Sequence, residues 1–268
     1  MTTQKALLRL KERWPMRFKL IACEVLTREI CAFIATTPHL IDPEFTEKDA
    51  HENSNHLRAL LQAKIDQANQ KETKYDAILL AFGLCGNATV GLHTHGIKLV
   101  IPRAHDCGTL FLGSKENFKA HFATNPSLAY SSTGYCERGA SYLRSNDAYH
   151  GKSYEDYLEL YGEENAKYLW ETLHPPYIQA GEKAVFIEIE ETKHLGYAEK
   201  CHRKAQDEHR EFQKLTGSTR LLKMLLHGEW NPEDFLIVGP HQETIGLYDW
   251  DEILGVNRAP RAESERKK

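Results

Sequence analysis

The sequence predicts an α/β protein built on an open, mostly parallel sheet with helices on both faces, either as one sheet or as two Rossmann-like lobes. Two observations lead there. The apolar runs at 18–22, 75–81 and 98–101 are continuous rather than alternating and too short for buried helices, as expected of central strands covered on both faces. Amphipathic or polar stretches of helical spacing lie between such runs. At 268 residues, 41% hydrophobic and 27% charged, the chain has ordinary globular composition and can fill one large domain or two joined lobes.

In chain order, residues 1–17 read as a helical extension, with Ala6, Leu7, Leu8 and Leu10 set against Lys5, Arg9, Lys11 and Arg13. The extension lacks the long apolar core of a signal peptide. Strand 18–22 leads into helix 25–35, whose Val25, Leu26, Ile30, Phe33 and Ile34 share a face, and 40–45 forms a second strand. Asn53 or Ser54 caps a helix reaching residue 69, with Leu57, Leu60, Leu61 and Ile65 at helical spacing. Strand 75–81 ends in a Gly83-Leu-Cys-Gly-Asn87 turn, followed by helix 88–92 and strand 98–101. Beyond these come helix 114–122, a weak strand at 128–132 and a Ser-, Gly- and Tyr-rich loop to 151. Ser153 caps a long polar helix to residue 173, which His174-Pro-Pro176 stops. Strand 184–189, a charged helical region 198–215, helix 219–227 and strand 235–238 complete the series. The expected organisation is one domain over 18–256, with lobes of roughly 18–150 and 151–256, and a polar tail at 257–268.

A formal charge of −4 gives no general attraction to a phosphate backbone, so nucleic acid is not an expected partner. No run approaches the roughly 20 apolar residues that cross a bilayer, so a membrane is not expected either. Six cysteines, without the dense spacing of a secreted scaffold, fit reduced thiols in a cytoplasmic protein.

The chemistry concentrates where strands end. Cys23, Cys85 and Cys107 each follow an apolar run, and the carboxyl ends of parallel strands share the edge at which open α/β sheets bind ligands. Three converging thiolates bind soft metals; the competing account is that buried cysteine packs as a small hydrophobe. Pro102-Arg-Ala-His-Asp-Cys107 adds an imidazole beside a thiol, so His105 with Cys23, Cys85 and Cys107 makes a Cys3His set for one zinc or iron ion. A catalytic centre would leave one position open. Arg103 is a candidate for an anionic group of a small-molecule substrate, and Asp106 for orienting His105 or moving a proton. Glu24 is expected first as part of a Glu24–Arg28 pair on a solvated helix face, and lies close enough to Cys23 to support it or act as a base. The glycine turn resembles a phosphate loop but has neither the dinucleotide nor the triphosphate spacing; it suits exposure of Cys85, with Asn87 as a cap and substrate contact.

His93-Thr-His95 precedes its strand, so it is expected at the opposite, amino-terminal edge as a surface pair. Cys31 is expected in helix packing, and Cys201 on a solvated charged helix with His194, His202 and His209. Cys136 can join the thiols only if its strand joins the same sheet. The segment 239–244 either closes over the site or is a plain turn.

The blocks Ile21-Ala-Cys-Glu-Val-Leu-Thr-Arg-Glu29, Tyr75 to Asn87 and Leu99 to Cys107 resemble those of a bacterial and archaeal family catalogued as a domain of unknown function, closely over 18–135 and more loosely beyond. Members are encoded beside corrinoid proteins and methylamine- or betaine-type methyltransferases. The resemblance therefore implies one-carbon metabolism with a corrinoid protein or methyltransferase as partner, corrinoid entering only through it. His105-x-Cys107 with a distant cysteine is also similar to the zinc pattern of methylcobamide:thiol methyltransferases, which are larger barrels. The alternatives are a non-catalytic metal or corrinoid delivery module and a metal-free thiol enzyme using Cys107 with His105.

Overall fold

A computed structural model describes residues 15–72, 74–125, 128–139 and 183–258, together with 154, 158–159, 162–163 and 166–167. In chain order the elements are β1 (Arg17–Cys23), α1 (Thr27–Ile34), β2 (Leu40–Thr46), α2 (Ser54–Gln70), β3 (Ala77–Ala81), β4 (Leu99–Pro102), α3 (Cys107–Leu112), α4 (Lys115–Phe122), β5 (Tyr130–Ser131), α5 (Thr133–Glu137), β6 (Lys183–Glu188), α6 (Tyr197–Asp207), β7 (Glu211–Thr216), α7 (Arg220–His227), β8 (Phe235–Val238), β9 (Gln242–Gly246) and β10 (Leu254–Arg258). Short 3-10 turns, notably Glu24–Leu26 and Lys48–Glu52, join some of them. The chain divides into two compact units, Met1–Thr124 with Gly217–Lys268, and Asn125–Thr216.

The first unit carries a five-stranded sheet in the order β2-β1-β3-β4-β8. The first four strands run parallel, and β8 closes the row antiparallel to β4 through Val100↔Ile237. Every residue of β3 and β4 is buried, which is why both read as unbroken apolar runs. The mostly parallel α/β class is therefore the observed one. Lys19 interrupts the apolar run of β1 and is 7% exposed; its Nζ lies 2.6 Å from Glu44 of β2. Helix α7 buries Leu221, Leu222, Leu225 and Leu226 as one stripe, packing on α1, β3 and β4. Asn53 caps α2 by accepting from the Asn55 and His56 amides, and Leu57, Leu61 and Ile65 point inward. Strands β9 and β10 pair antiparallel.

The second unit holds a parallel three-stranded sheet, β5-β6-β7, with α6 against β6 and β7. Ala184, Phe186, Ala198, Cys201 and Ala205 form its buried cluster.

Several local expectations change. Residues 88–92 form turns rather than a helix: Gly91 sits at φ +82°, and the Thr89 hydroxyl bonds the Gly83 carbonyl at 3.1 Å. The region 198–215 is not wholly helical, because α6 stops at Asp207 and β7 pairs with β6. Thr133–Glu137 is a short helix within the expected loop, and Asn257 and Arg258 belong to β10 rather than to a tail. Cys31 is exposed, whereas Cys201 is buried, on the narrow stripe Ala198, Cys201, Ala205 of an otherwise charged helix. The helical extension over 1–14 and the tail at 259–268 lie outside the described residues, as does most of the 153–173 helix, whose described members are helical. No helix among the described residues is long and apolar enough to cross a membrane.

Candidate metal centre

The carboxyl edge of the five-stranded sheet brings the three strand-end cysteines together, and the main chain does much of that work. Gly83, just past β3, passes so close to the loop after β4 that a Cβ there would lie 2.5 Å from the Asp106 nitrogen and 2.7 Å from the Ala104 oxygen. The Leu84 amide donates to Ala104 and the Cys85 amide to His105, both at 2.8 Å. Cys85, Gly86 and Asn87 then follow at φ 45°, 62° and 72°, a left-handed run that only Gly86 adopts without strain. Cys107 opens α3, whose N-cap is Asp106; its carboxylate accepts from the Gly108 amide at 2.9 Å and the Thr109 amide at 3.4 Å.

The ligand atoms of Cys23, Cys107 and His51 lie within 4.8 Å of one another, close enough to hold a metal ion. Cys23 and Cys107 are each 1% exposed. No pattern in the sequence singles out His51. It comes from the 3-10 turn Lys48–Glu52, and its ring stacks on Phe82 with centroids 5.8 Å apart. Its Nδ1 lies 2.9 Å from the Lys48 carbonyl, which can only accept, so that nitrogen carries a proton. The other ring nitrogen, Nε2, is buried with no hydrogen-bond partner. A buried imidazole nitrogen set among thiols becomes a metal ligand once an incoming ion displaces its proton, and the Nδ1–H bond to a carbonyl is the usual outer support of such a ligand. Glu24 acts indirectly: its Oε1 accepts from the Lys48 amide at 2.9 Å and so fixes the turn that aims His51.

Cys85 stands slightly away from these three, partly exposed and outside the 4.8 Å group, but it interacts with both Cys107 and His51. The charges follow from this arrangement. Cys107, between two sulfurs that accept from it, keeps its proton, and its pKa rises well above the ordinary thiol value; burial adds to the effect. The bond from Cys107 lowers Cys23 against the opposing effect of burial. Cys85 falls to about 5, first through Cys107 and then, against burial, through His51. Burial alone would lower His51, yet Cys85 and Cys23 raise it to about 9. In the metal-free protein Cys107 thus keeps its proton while Cys85 and Cys23 are acidified around it, and a soft dication would serve all three sulfurs.

The remaining sequence candidates are placed as follows. His105 lies outside the group, its ring 5.6 Å from Phe118 and 4.7 Å from Trp250, with Nε2 buried and without a hydrogen-bond partner. Burial lowers its pKa, Asp249 opposing. Arg103 holds main-chain carbonyls, at 2.9 Å to Pro232 and 2.8 Å to Glu252, and also Leu254. The Asn87 carbonyl accepts from Arg58 at 2.6 Å. Cys136 adjoins the other sheet, its Sγ 3.5 Å from that of Cys201, so the condition for its joining the three thiols is not met. Residues 239–241 are a turn between β8 and β9, with Gln242 accepting from the Gly239 amide at 2.7 Å. His93 and His95 precede β4 and group with Asp66 instead.

No curated protein matches the chain, and no solved structure does. The model of the family described as "Protein of unknown function (DUF1638)" matches residues 45–226, a span that contains His51, Cys85 and Cys107 and begins after Cys23. With well over half of its length matched, the chain belongs to the DUF1638 family.

Proposed function

We propose that Cys23, Cys107 and His51 hold one zinc or iron ion, that Cys85 stands at its exchangeable position, and that the protein is an enzyme or accessory factor acting there on a small molecule. The observation that carries this reading is the orphaned Nε2 of His51, buried in the same 4.8 Å group as two thiols. Sulfur with imidazole suits zinc or iron. A bound ion would supply Lewis acidity and lower the pKa of a coordinated thiol or water. The chain's own contribution is positioning: Glu24 holds the Lys48 turn, that turn holds His51, and Gly83 admits Cys85 to the edge of the cluster. Cys85 is the only one of the three thiols not fully buried, which makes it the group a substrate can replace or meet. The resemblance of the cysteine blocks extends the proposal to methyl or one-carbon transfer, with a corrinoid protein or methyltransferase as partner and corrinoid reached only through it.

Anaerobic purification followed by elemental analysis tests the reading. Wild type and Cys31→Ser should retain about one zinc or iron per chain, and Cys23→Ser, Cys107→Ser and His51→Ala should lose most of it while remaining folded. Retention of metal by all three would overturn it. A second reading, metal-free thiol chemistry, is favoured by a different pair from the one expected, Cys85 with His51, because Cys85 is partly exposed and its thiol is acidified beside that imidazole. It predicts no stoichiometric metal and selective alkylation of Cys85.

A further inference from the structure

A second group of metal-ligating side chains lies near the amino end of β4, apart from the thiols. The ligand atoms of Asp66, His93 and His95 are within 4.8 Å of one another, with Asp66 and His93 half-buried and His95 exposed. The two imidazoles are 5.2 Å apart at 78°. Thr94 between them is 1% exposed, its hydroxyl donating to the Ile97 carbonyl at 2.5 Å and meeting Asn69 of α2 at 3.3 Å. Both rings lie beside Asp66 of α2.

Gln62 locks the group. One α-helical turn before Asp66, its Nε2 donates to Asp66 Oδ1 at 2.8 Å and to the His93 carbonyl at 3.2 Å, and its Oε1 accepts from the His93 amide at 3.1 Å. A single amide side chain therefore fixes the carboxylate and the main chain that bears the first imidazole. His93 Nδ1 approaches the Gly91 carbonyl at 3.4 Å, which leaves Nε2 as its ligand atom. Across the strand, His93 bridges to Glu243, and the Leu92 amide donates to the Thr244 hydroxyl at 2.9 Å. The two histidines, one exposed and one half-buried, are thus joined with Asp66 in a braced, three-residue arrangement.

We propose that Asp66, His93 and His95 form a second metal site, specific for a divalent transition metal and independent of the thiol cluster. Two imidazoles and one carboxylate leave coordination positions open and suit nickel, zinc, cobalt or ferrous iron. His95 also lines a cavity of about 690 Å³, whose walls include Lys71, Lys74 and Lys98. Asp76 lines the same cavity, so its charge is mixed, and it is the two imidazoles that favour a transition metal over the oxygen-seeking magnesium and calcium.

The test is calorimetric titration of the untagged full chain with nickel(II) chloride, and separately with magnesium chloride. Wild type and Cys107→Ser should both show a nickel event of about one equivalent that Asp66→Asn and His95→Gln weaken at least tenfold, with no magnesium binding. His95 is exposed, so His95→Gln keeps the fold intact and the result interpretable. Cobalt(II) bound at this site should lack the thiolate-to-cobalt absorption of the cysteine cluster. Equal nickel affinity in wild type and His95→Gln, or loss of the event in Cys107→Ser alone, would overturn the proposal. Failure of the thiol site would instead appear as unchanged metal content in the cysteine variants.

Discussion

The Cys85 amide donates to the His105 carbonyl at 2.8 Å, so the main chain sets how far this thiol stands from Cys107. That bond requires the close passage at Gly83. Gly83→Ala should cost about 1–3 kcal/mol, as overpacking does, and should also lower metal content by spreading the two loops. Gly86→Ala, at φ +62° with Ser54 Oγ 3.1 Å from the added Cβ, should cost about 1–2 kcal/mol through backbone strain. Chemical denaturation with elemental analysis of both variants checks the contrast: metal loss should be confined to Gly83→Ala.

In the metal-free protein, Cys85 and His51 should exist as thiolate and imidazolium over a defined pH range. His51 is raised from 6.5 to about 9, so its contribution to stability is complete below 6.5 and disappears as pH climbs through about 9. Cys85 is lowered from 9.0 to about 5, so its contribution is complete above 9.0 and is lost as pH falls through about 5. The charged pair therefore occupies the range between about 5 and about 9. Iodoacetamide labelling of Cys85, followed by peptide mass spectrometry, should begin near pH 5 and move to higher pH in His51→Ala. An unchanged onset would separate the two groups.

Glu44 should matter more for what it neutralises than for the bond it makes. Burial raises its pKa, but Lys19 and Lys64 outweigh that and hold it below the ordinary carboxylate value. Its contribution is thus present above that value and lost as pH falls below it. Glu44→Gln leaves Lys19 buried without its carboxylate and should cost about 3 kcal/mol, whereas Lys19→Met should cost less than about 1 kcal/mol. Urea denaturation of the two variants decides the order.

Cys136 and Cys201 should react unequally. The bond from Cys201 lowers Cys136 to about 7 against the effect of burial, while Cys201 is raised. Alkylation of Cys136 should therefore increase as pH rises through about 7, ahead of Cys201, and shift upward in Cys201→Ala. Simultaneous labelling of both thiols would contradict the hydrogen-bonded arrangement.

The features legible in the sequence are those determined locally. The strands β1, β3 and β4 are apolar with at most the single interruption of Lys19, and Asn53 caps a helix by a contact only a few residues long, so both can be read directly. His51 cannot. It lies in a short polar turn without periodicity, and the stacking on Phe82, the bond to Lys48 and the hold of Glu24 on that turn direct it inward. Strand β7, Glu-Phe-Gln-Lys-Leu-Thr, is charged because one side pairs with β6 and most of its side chains reach the surface, which resembles a solvated helix when read alone. Cys201 is hidden for the converse reason: a stripe of small residues bears no marked hydrophobic signal, yet Ala198, Cys201 and Ala205 are what allow α6 to approach its sheet.

The antiparallel pairing of β4 with β8 joins residues 99–102 to 235–238. During synthesis the whole of Asn125–Thr216 emerges before that final strand exists. Until it does, β4 presents an unpaired edge to every neighbouring nascent chain, a template for mispairing. The inserted unit therefore sets a delay, and the vulnerability of the nascent protein should scale with translation time through it: slowing the ribosome within 125–216 should raise aggregation, and supplying the last strand sooner, by circular permutation, should suppress it.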